Sequence, residues 1–155
     1  MEFKLLIDKT DAIPLIATWY FNEWGSAIPD NSYDKTVARL QNNLSRNELP
    51  IHLLAVKNES VLGVAQLKIR EMSIYPEREH WLGGLFVPPE FRGRGIASEI
   101  AEKIASLAQS MNIEKVYLQT EKLDGGFYAR LGWKPMEKVF YNGFNVLVME
   151  RELDT

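Results

Sequence analysis

Arg92-Gly93-Arg94-Gly95 stands directly before a run with helical apolar spacing: Ile96, Ile100, Ile104, Leu107, Ala108 and Met111. Ser98, Glu99, Glu102, Lys103, Ser106 and Gln109 fill the opposite face. This junction has a definite chemistry. The start of a helix leaves several backbone N–H groups without intrahelical partners, and the aligned peptide dipoles add about half a positive charge there. Gly93 and Gly95 carry no side chain, so an anion can come close to the backbone. Arg92 and Arg94 add two permanent positive charges. Together these features describe a site for a phosphate or pyrophosphate. Taken alone, the same four residues also describe a glycine-rich turn with two solvated arginines. Two other phosphate-binding signatures do not fit. Ser98 stands where G-x-G-x-x-G needs its third glycine, and no G-K-[S/T] ending is present for a P-loop.

The elements that position this junction follow from pattern. Trp81–Val87 is a short apolar run, which predicts a central strand buried on both faces. Gly83 and Gly84 within it suggest a bulge or the close approach of another backbone. Upstream, Glu2–Ile7 reads as a first strand. Thr10 or Asp11 is placed to cap a helix carrying Pro14 in its first turn and Ile13, Ile16, Tyr20 and Trp24 on one face, with Gly25 ending it. Ser32 is placed to cap a second helix with Tyr33, Val37, Leu40 and Leu44 at helical spacing. Ile51–Lys57 and Val61–Arg70 read as a hairpin around Asn58-Glu59-Ser60. His52, at the start of that hairpin, is expected to be a surface or hydrogen-bonded histidine. Glu71–Glu79 reads as a polar connection whose three glutamates are mostly solvated.

Downstream of the long helix, Ile113–Leu118 is a strand, and Asp124 is placed to cap a short helix beginning at Gly125-Gly126. Phe127 and Leu131, four apart, should face the core. Tyr128 is turned about 100° from Phe127 and is free to face a groove. Gly132 terminates that helix. Trp133–Tyr141 and Phe144–Glu150 flank Asn142-Gly143, a strong two-residue hairpin signal. The sum is a mixed α/β (α+β) architecture, a central sheet with helices on both faces and a C-terminal hairpin.

Composition narrows the function classes. The 155 residues suggest a single domain over 1–155, with 46% hydrophobic and 25% charged residues, as expected of a soluble globular protein. The net charge of −3 argues against a general nucleic-acid binder. No run has the length of a membrane span, and the N-terminus is too short and charged for a signal peptide. With no cysteine there is no disulfide, thiolate metal site or cysteine nucleophile, which fits a cytoplasmic location. The expected partners include no nucleic acid, no membrane and no metal.

Arg92-Gly93-Arg94-Gly95-Ile96-Ala97 resembles the R/Q-x-x-G-x-G/A pattern of the GNAT superfamily of N-acetyltransferases, and Val87-Pro88-Pro89-Glu90 resembles that family's strand-to-loop junction. Phe127-Tyr128-Ala129-Arg130-Leu131-Gly132-Trp133 is similar to the family's late F-Y-x-x-x-G-F/W segment. The element order matches over nearly the whole chain. The resemblance implies a GNAT-type fold and transfer of an acetyl group from acetyl-coenzyme A to a primary amine, that of a small molecule. It implies that Arg92, Gly93, Arg94, Gly95, Ile96 and Ala97 hold the pyrophosphate. Leu85, Phe86 and Val87 would then offer backbone groups to the pantetheine arm and the thioester carbonyl, and Tyr128 would be the general acid for the departing sulfur.

In this fold the first two helices border the acceptor groove, so Trp24, Ile28 and Tyr33 become candidate substrate-binding residues. The family's base is in some members a carboxylate on the central strand. That position falls at or near Trp81, which cannot serve, so Glu79 and His80 are the candidates, beside a water chain. An aromatic, slightly acidic rim of Trp24, Tyr33, Glu79 and Tyr141 would suit a small cationic amine. Family members are monomers or homodimers. A competing implication is a non-catalytic module of the same fold that binds acyl-coenzyme A as a sensor.

Overall fold

In a computed structural model, which describes residues 1–153, the chain forms one seven-stranded sheet flanked by four α-helices. The strands are β1 (Glu2–Leu5), β2 (Ile51–Lys57), β3 (Ser60–Ile69), β4 (His80–Phe86), β5 (Lys115–Thr120), β6 (Lys134–Tyr141) and β7 (Phe144–Glu152). The helices are α1 (Ile13–Glu23), α2 (Tyr33–Asn42), α3 (Ile96–Ser110) and α4 (Gly126–Arg130). The sheet order is β1-β2-β3-β4-β5-β7-β6, antiparallel except where β4 meets β5. This is the mixed α/β architecture that the alternation of strand and helix patterns implies.

The local chemistry explains most boundaries. Ser32 caps α2, its hydroxyl accepting from the Lys35 amide at 3.1 Å. The Asp124 carboxylate accepts from the Gly126 amide at 3.0 Å and starts α4. Asn142 and Gly143 both take positive φ, 48° and 87°, as a two-residue hairpin turn requires. One expected cap does not form. Thr10–Ala12 is a 3-10 turn instead, and α1 begins at Ile13 with no side-chain cap; Pro14 in its first turn has no amide to satisfy. The first strand is also shorter than its pattern, because Leu6 leaves the sheet to pack with α1.

The two sheet faces carry separate cores. Ile100, Ile104 and Ala108 of α3 pack on Leu53, Ala65, Leu67, Leu82, Val116 and Leu118. Ile13, Ile16 and Tyr20 of α1 and Leu40 of α2 cover Leu54, Val56 and Val64, which alternate with the first set along β2 and β3. The β3–β4 connection covers the other half of that second face, where Met72 packs with Trp81, Val146 and Val148. Arg78 holds this connection down. Its guanidinium lies 4.0 Å from the Tyr75 ring centroid and 2.8 Å from a Glu137 oxygen, and its carbonyl accepts from the Trp81 indole at 2.7 Å.

Candidate functional site

The site begins as a defect in the sheet. Gln66 pairs with Gly83, and the next pair along is Val64 with Phe86, so Gly84 and Leu85 both oppose Ala65. That is a β-bulge, which bends the strand and re-aims its backbone. Gly84 takes φ +57°, and a Cβ there would lie 2.6 Å from the Gln66 amide nitrogen and 2.7 Å from the Tyr20 hydroxyl. The Tyr20 hydroxyl occupies that space and donates to the Gly84 carbonyl at 2.7 Å. Burial and the Glu71 carboxylate both push the Tyr20 phenol well above its ordinary range, against a hydrogen bond from Gln66, so it stays protonated as a donor. One buried side chain of α1 thus pins the bulge.

On its other edge β4 meets β5 in a single parallel pair, Trp81 with Tyr117. Past that pair the two strands separate, and a cavity of about 590 Å³ opens between them. Gly83, Gly84 and Leu85 form its β4 wall, and Leu118, Gln119 and Thr120 its β5 wall. Tyr128 of α4, Tyr141 and Phe144 of the hairpin, and Trp24 at the end of α1 close the rim. The separation leaves backbone polar groups of two strands facing one cleft, which is a seat for a ligand with its own amides.

Charge in the cavity is mostly negative. Glu23, Glu71 and Glu121 line it with a single cation, Lys68. Glu71 is the enclosed one, with its side chain 12% exposed. Its two oxygens are held separately: Lys68 of β3 donates to Oε1 at 3.1 Å, and Gln119 of β5 donates to Oε2 at 3.1 Å. Gly83 makes room for it, since a Cβ at that position would meet Oε1 at 2.3 Å. Burial, then the nearby Glu71 charge, pushes the Tyr128 phenol up, so it too keeps its proton. Tyr128 is held by ring contacts with Phe127 at 4.2 Å and Trp133 at 6.2 Å.

The glycine-rich junction lies at the end of β4. Gly93 and Gly95 have φ of +79° and +78°, and an added Cβ at either would have no atom within 4 Å. The backbone is therefore open to a group the size of a pyrophosphate, ahead of a 15-residue helix. Arg92 does more than carry charge: its Nε donates to the Val87 carbonyl at 2.8 Å, and its guanidinium sits 5.7 Å from the Phe86 ring centroid. It ties the loop back onto β4. Arg94 is exposed and lies 5.8 Å from the Phe91 centroid.

The candidates from sequence separate into two groups. Leu85, Tyr128, Trp24 and Tyr141 come together at the cavity, while Arg92, Gly93, Arg94, Gly95, Ile96 and Ala97 form the loop and first turn beyond it. Phe86 and Val87 continue the β4 wall toward that loop; Phe86 is only half-buried and packs against Trp19 at 5.4 Å, so the strand is enclosed on both faces only near Trp81 and Leu82. Ile28 and Tyr33 are exposed and are not among the residues lining the cavity; the Tyr33 hydroxyl reaches the Pro14 carbonyl at 3.5 Å. Glu79 and His80 also stand outside the lining and face each other at 3.8 Å.

Pattern reading missed Glu71, Lys68, Gln119 and Tyr20. Glu77 and Glu79 are exposed as expected of a polar connection, but Glu71 is not. His52 is buried rather than at the surface, its ring 6.5 Å from Tyr20, and burial with the nearby Lys68 charge depresses it to about 4.

Comparison with known proteins agrees with this geometry. The model of the acetyltransferase (GNAT) family matches residues 13–133. Among solved structures, an aminoglycoside 6'-acetyltransferase type Ii superposes with a TM-score of 0.75 at 16% identity, covering 100% of this chain and 99% of that one. An aminoglycoside 6'-N-acetyltransferase complexed with coenzyme A gives 0.76 at 16% identity, covering 100% and 98%. A probable acetyltransferase from Staphylococcus epidermidis gives 0.71 at 16% identity, covering 99% of each chain. At these identities the likeness is one of fold. No curated protein matches the chain.

Proposed function

The chain belongs to the acetyltransferase (GNAT) family, and on that premise we propose that it moves the acetyl group of acetyl-coenzyme A to a primary amine of a small cationic molecule. The reading rests chiefly on one observation: the cleft where β4 and β5 part is lined by Leu85 and by the protonated Tyr128, and β4 leads on from it to the open glycine backbone at Gly93 and Gly95. These residues fit coenzyme A. The amides opening α3, with Arg94 beside them, would take the pyrophosphate, and Leu85, Phe86 and Val87 would pair with the pantetheine amides. An amide donor aimed at the thioester oxygen supports the charge that develops there, worth about 3–4 kcal/mol when such a donor is preorganised.

The bond changes are then simple. The amine nitrogen forms a bond to the thioester carbon, the C–S bond breaks, and Tyr128 donates its proton to the sulfur. A phenol held above its ordinary range is a poor anion, so Tyr128 is protonated at rest and, once it has given its proton to sulfur, regains one from the amine nitrogen as the amide forms. Glu23, Glu71 and Glu121 against Lys68 favour a cationic acceptor, and Trp24, Tyr141 and Phe144 offer ring faces to an ammonium. Aminoglycosides, the substrates named for two of the solved relatives, are one member of that class. The proposal extends to a single domain acting in the cytoplasm.

The test has two steps. Acetyl-coenzyme A at about 100 times its dissociation constant adds roughly 2.7 kcal/mol, a rise in melting temperature of roughly 5–10 °C. Thiol release is then followed with a panel of amines for the wild type and Tyr128→Phe. No thermal rise at millimolar ligand overturns the reading. A rise without turnover of any amine favours an acyl-coenzyme A sensor instead.

A further inference from the structure

We propose that Glu71 is the catalytic carboxylate that receives the acceptor's ammonium group and takes its first proton, a role for which it has been carried over the face of β4 by the β3–β4 connection. This rests on the acetyl-transfer reading above. The argument starts from a mismatch. Residues just before the bulge, Glu79 and His80, face each other away from the cavity, and the strand itself presents Trp81, Leu82 and Gly83. β4 therefore supplies no carboxylate to the cleft. Gly83 instead leaves a gap, and the Glu71 carboxylate fills it, its Oε1 lying 2.3 Å from where a Cβ would stand.

Three features make that placement functional rather than incidental packing. First, the carboxylate is anchored from both strands that flank β4, by Lys68 of β3 and Gln119 of β5, each at 3.1 Å. An anchored carboxylate is preorganised, and a glutamate meant only for solubility has no need of two strands to hold it. Second, Glu71 is 12% exposed, within a cavity whose other two carboxylates, Glu23 and Glu121, are on exposed residues. Third, it shares the cavity lining with Tyr128 of α4 and Tyr141 of β6, and its charge acts to raise both of these phenols and that of Tyr20 of α1. Lys68 is the cation that faces it. An arriving ammonium therefore meets a carboxylate that is already paired, and the exchange of Lys68 for the substrate nitrogen is the step that brings the amine to the strand.

The protons balance. A protonated amine gives one proton to Glu71 and becomes nucleophilic. As the C–N bond forms and the C–S bond breaks, nitrogen loses a second proton, which replaces the one Tyr128 gives to sulfur. Glu71 then releases its proton to water, so each turnover yields amide, free thiol and one proton. Gln119, on the other oxygen, holds the carboxylate through both states.

The experiment compares the full-length wild type with Glu71→Gln, which keeps the size and one acceptor oxygen but removes the charge and turns the other oxygen into a donor. The probes are acetyl-coenzyme A with tobramycin, spermidine or cadaverine, read by thiol release from pH 6.5 to 10. We expect kcat/KM for the amine to fall about 100-fold at pH 7, with the thermal shift by acetyl-coenzyme A unchanged. The deficit should shrink at least tenfold toward pH 10, where the amine sheds its proton unaided. Glu71→Asp, which keeps the charge, should retain more activity than the glutamine variant. A glutamine variant within threefold of wild type, or a deficit equal at every pH, overturns the assignment while leaving the acetyltransferase reading intact. A wild type that binds acetyl-coenzyme A but turns over none of the three amines overturns the amine-acetylation reading, and the Glu71 role with it.

Discussion

Tyr20→Phe is the perturbation that isolates the bulge. The substitution removes one oxygen and leaves the ring, its packing against Trp24 at 5.6 Å and its place in the α1 core unchanged. What is lost is the 2.7 Å bond to the Gly84 carbonyl and the oxygen that accepts from Gln66. A net hydrogen bond is worth about 1 kcal/mol, and a buried partner left without one adds about 1–3 kcal/mol. Gly84 and Gln66 border the cavity, where water can partly replace the hydroxyl, so the lower part of that range applies. A loss of about 2 kcal/mol corresponds to a fall of roughly 4–8 °C in melting temperature for a domain of this size.

The functional effect should exceed the stability effect. Gly84 holds φ +57° with its carbonyl tied to Tyr20, and Leu85 follows it directly into the cleft. Freed from that tie, the bulge can relax, and the amides beyond it would lose the aim at the thioester proposed for them. We expect kcat with acetyl-coenzyme A to fall tenfold or more. Differential scanning fluorimetry and thiol-release kinetics on the same sample read both effects. A variant that melts within 1 °C of wild type with unchanged kcat refutes the idea that α1 sets the geometry of β4.

Three more outcomes follow from the site. His52, depressed to about 4 by burial and by Lys68, is neutral in the folded state and titrates near 6.5 when unfolded. The unfolded chain binds more protons between those values, so stability is full above pH 6.5 and falls by about 3 kcal/mol toward pH 4; chemical denaturation of His52→Gln should lack that part of the slope, and an identical slope would sink the claim. Gly95→Glu forces a side chain onto a residue at φ +78° and puts a negative charge at the anion seat, so acetyl-coenzyme A should bind at least 50-fold more weakly by calorimetry, with dephospho-coenzyme A weakened in parallel. Trp24→Ala removes an exposed rim ring that touches Tyr20 and Phe86; the KM for a cationic amine should rise about three- to tenfold with little change in melting temperature, and an unchanged KM would take Trp24 out of the acceptor groove.

What pattern reading recovers here is what neighbours along the chain decide. The Ser32 cap, the Asn142-Gly143 turn and the apolar stripe from Ile96 to Ala108 each depend on residues a few positions apart, and each forms as expected. The open glycine turn is legible for the same reason, because Gly93 and Gly95 act on the turn that contains them. Glu71 is not legible. It stands among three glutamates of one connection, and what singles it out is Gln119, 48 residues away, and the missing side chain at Gly83. Tyr20 reads as one more apolar position of an amphipathic helix; its bond to Gly84 spans 64 residues. His52 sits at a strand start, where nothing local reveals that α1 will cover it. Caps and turns are local chemistry, whereas a carboxylate pressed into a strand is a product of the finished fold.

The single Trp81–Tyr117 pair has a mechanical meaning. A continuous sheet resists shear because every strand is laced to the next; this one is laced at a single point along its middle seam, with β1 to β4 on one side and β5, β7 and β6 on the other. The packing of α3 on both halves, through Leu67 and Leu82 on one and Val116 and Leu118 on the other, acts as the backing plate across that seam. An amide-bearing ligand lying in the gap would finish the lacing as an eighth strand that is not part of the polypeptide. The empty protein is then a sheet with a hinge line, and those amide hydrogens of Leu118 to Thr120 that point toward β4 rather than into the β7 ladder should exchange freely until that gap is filled. Rigidity along the seam would belong to the complex rather than to the chain.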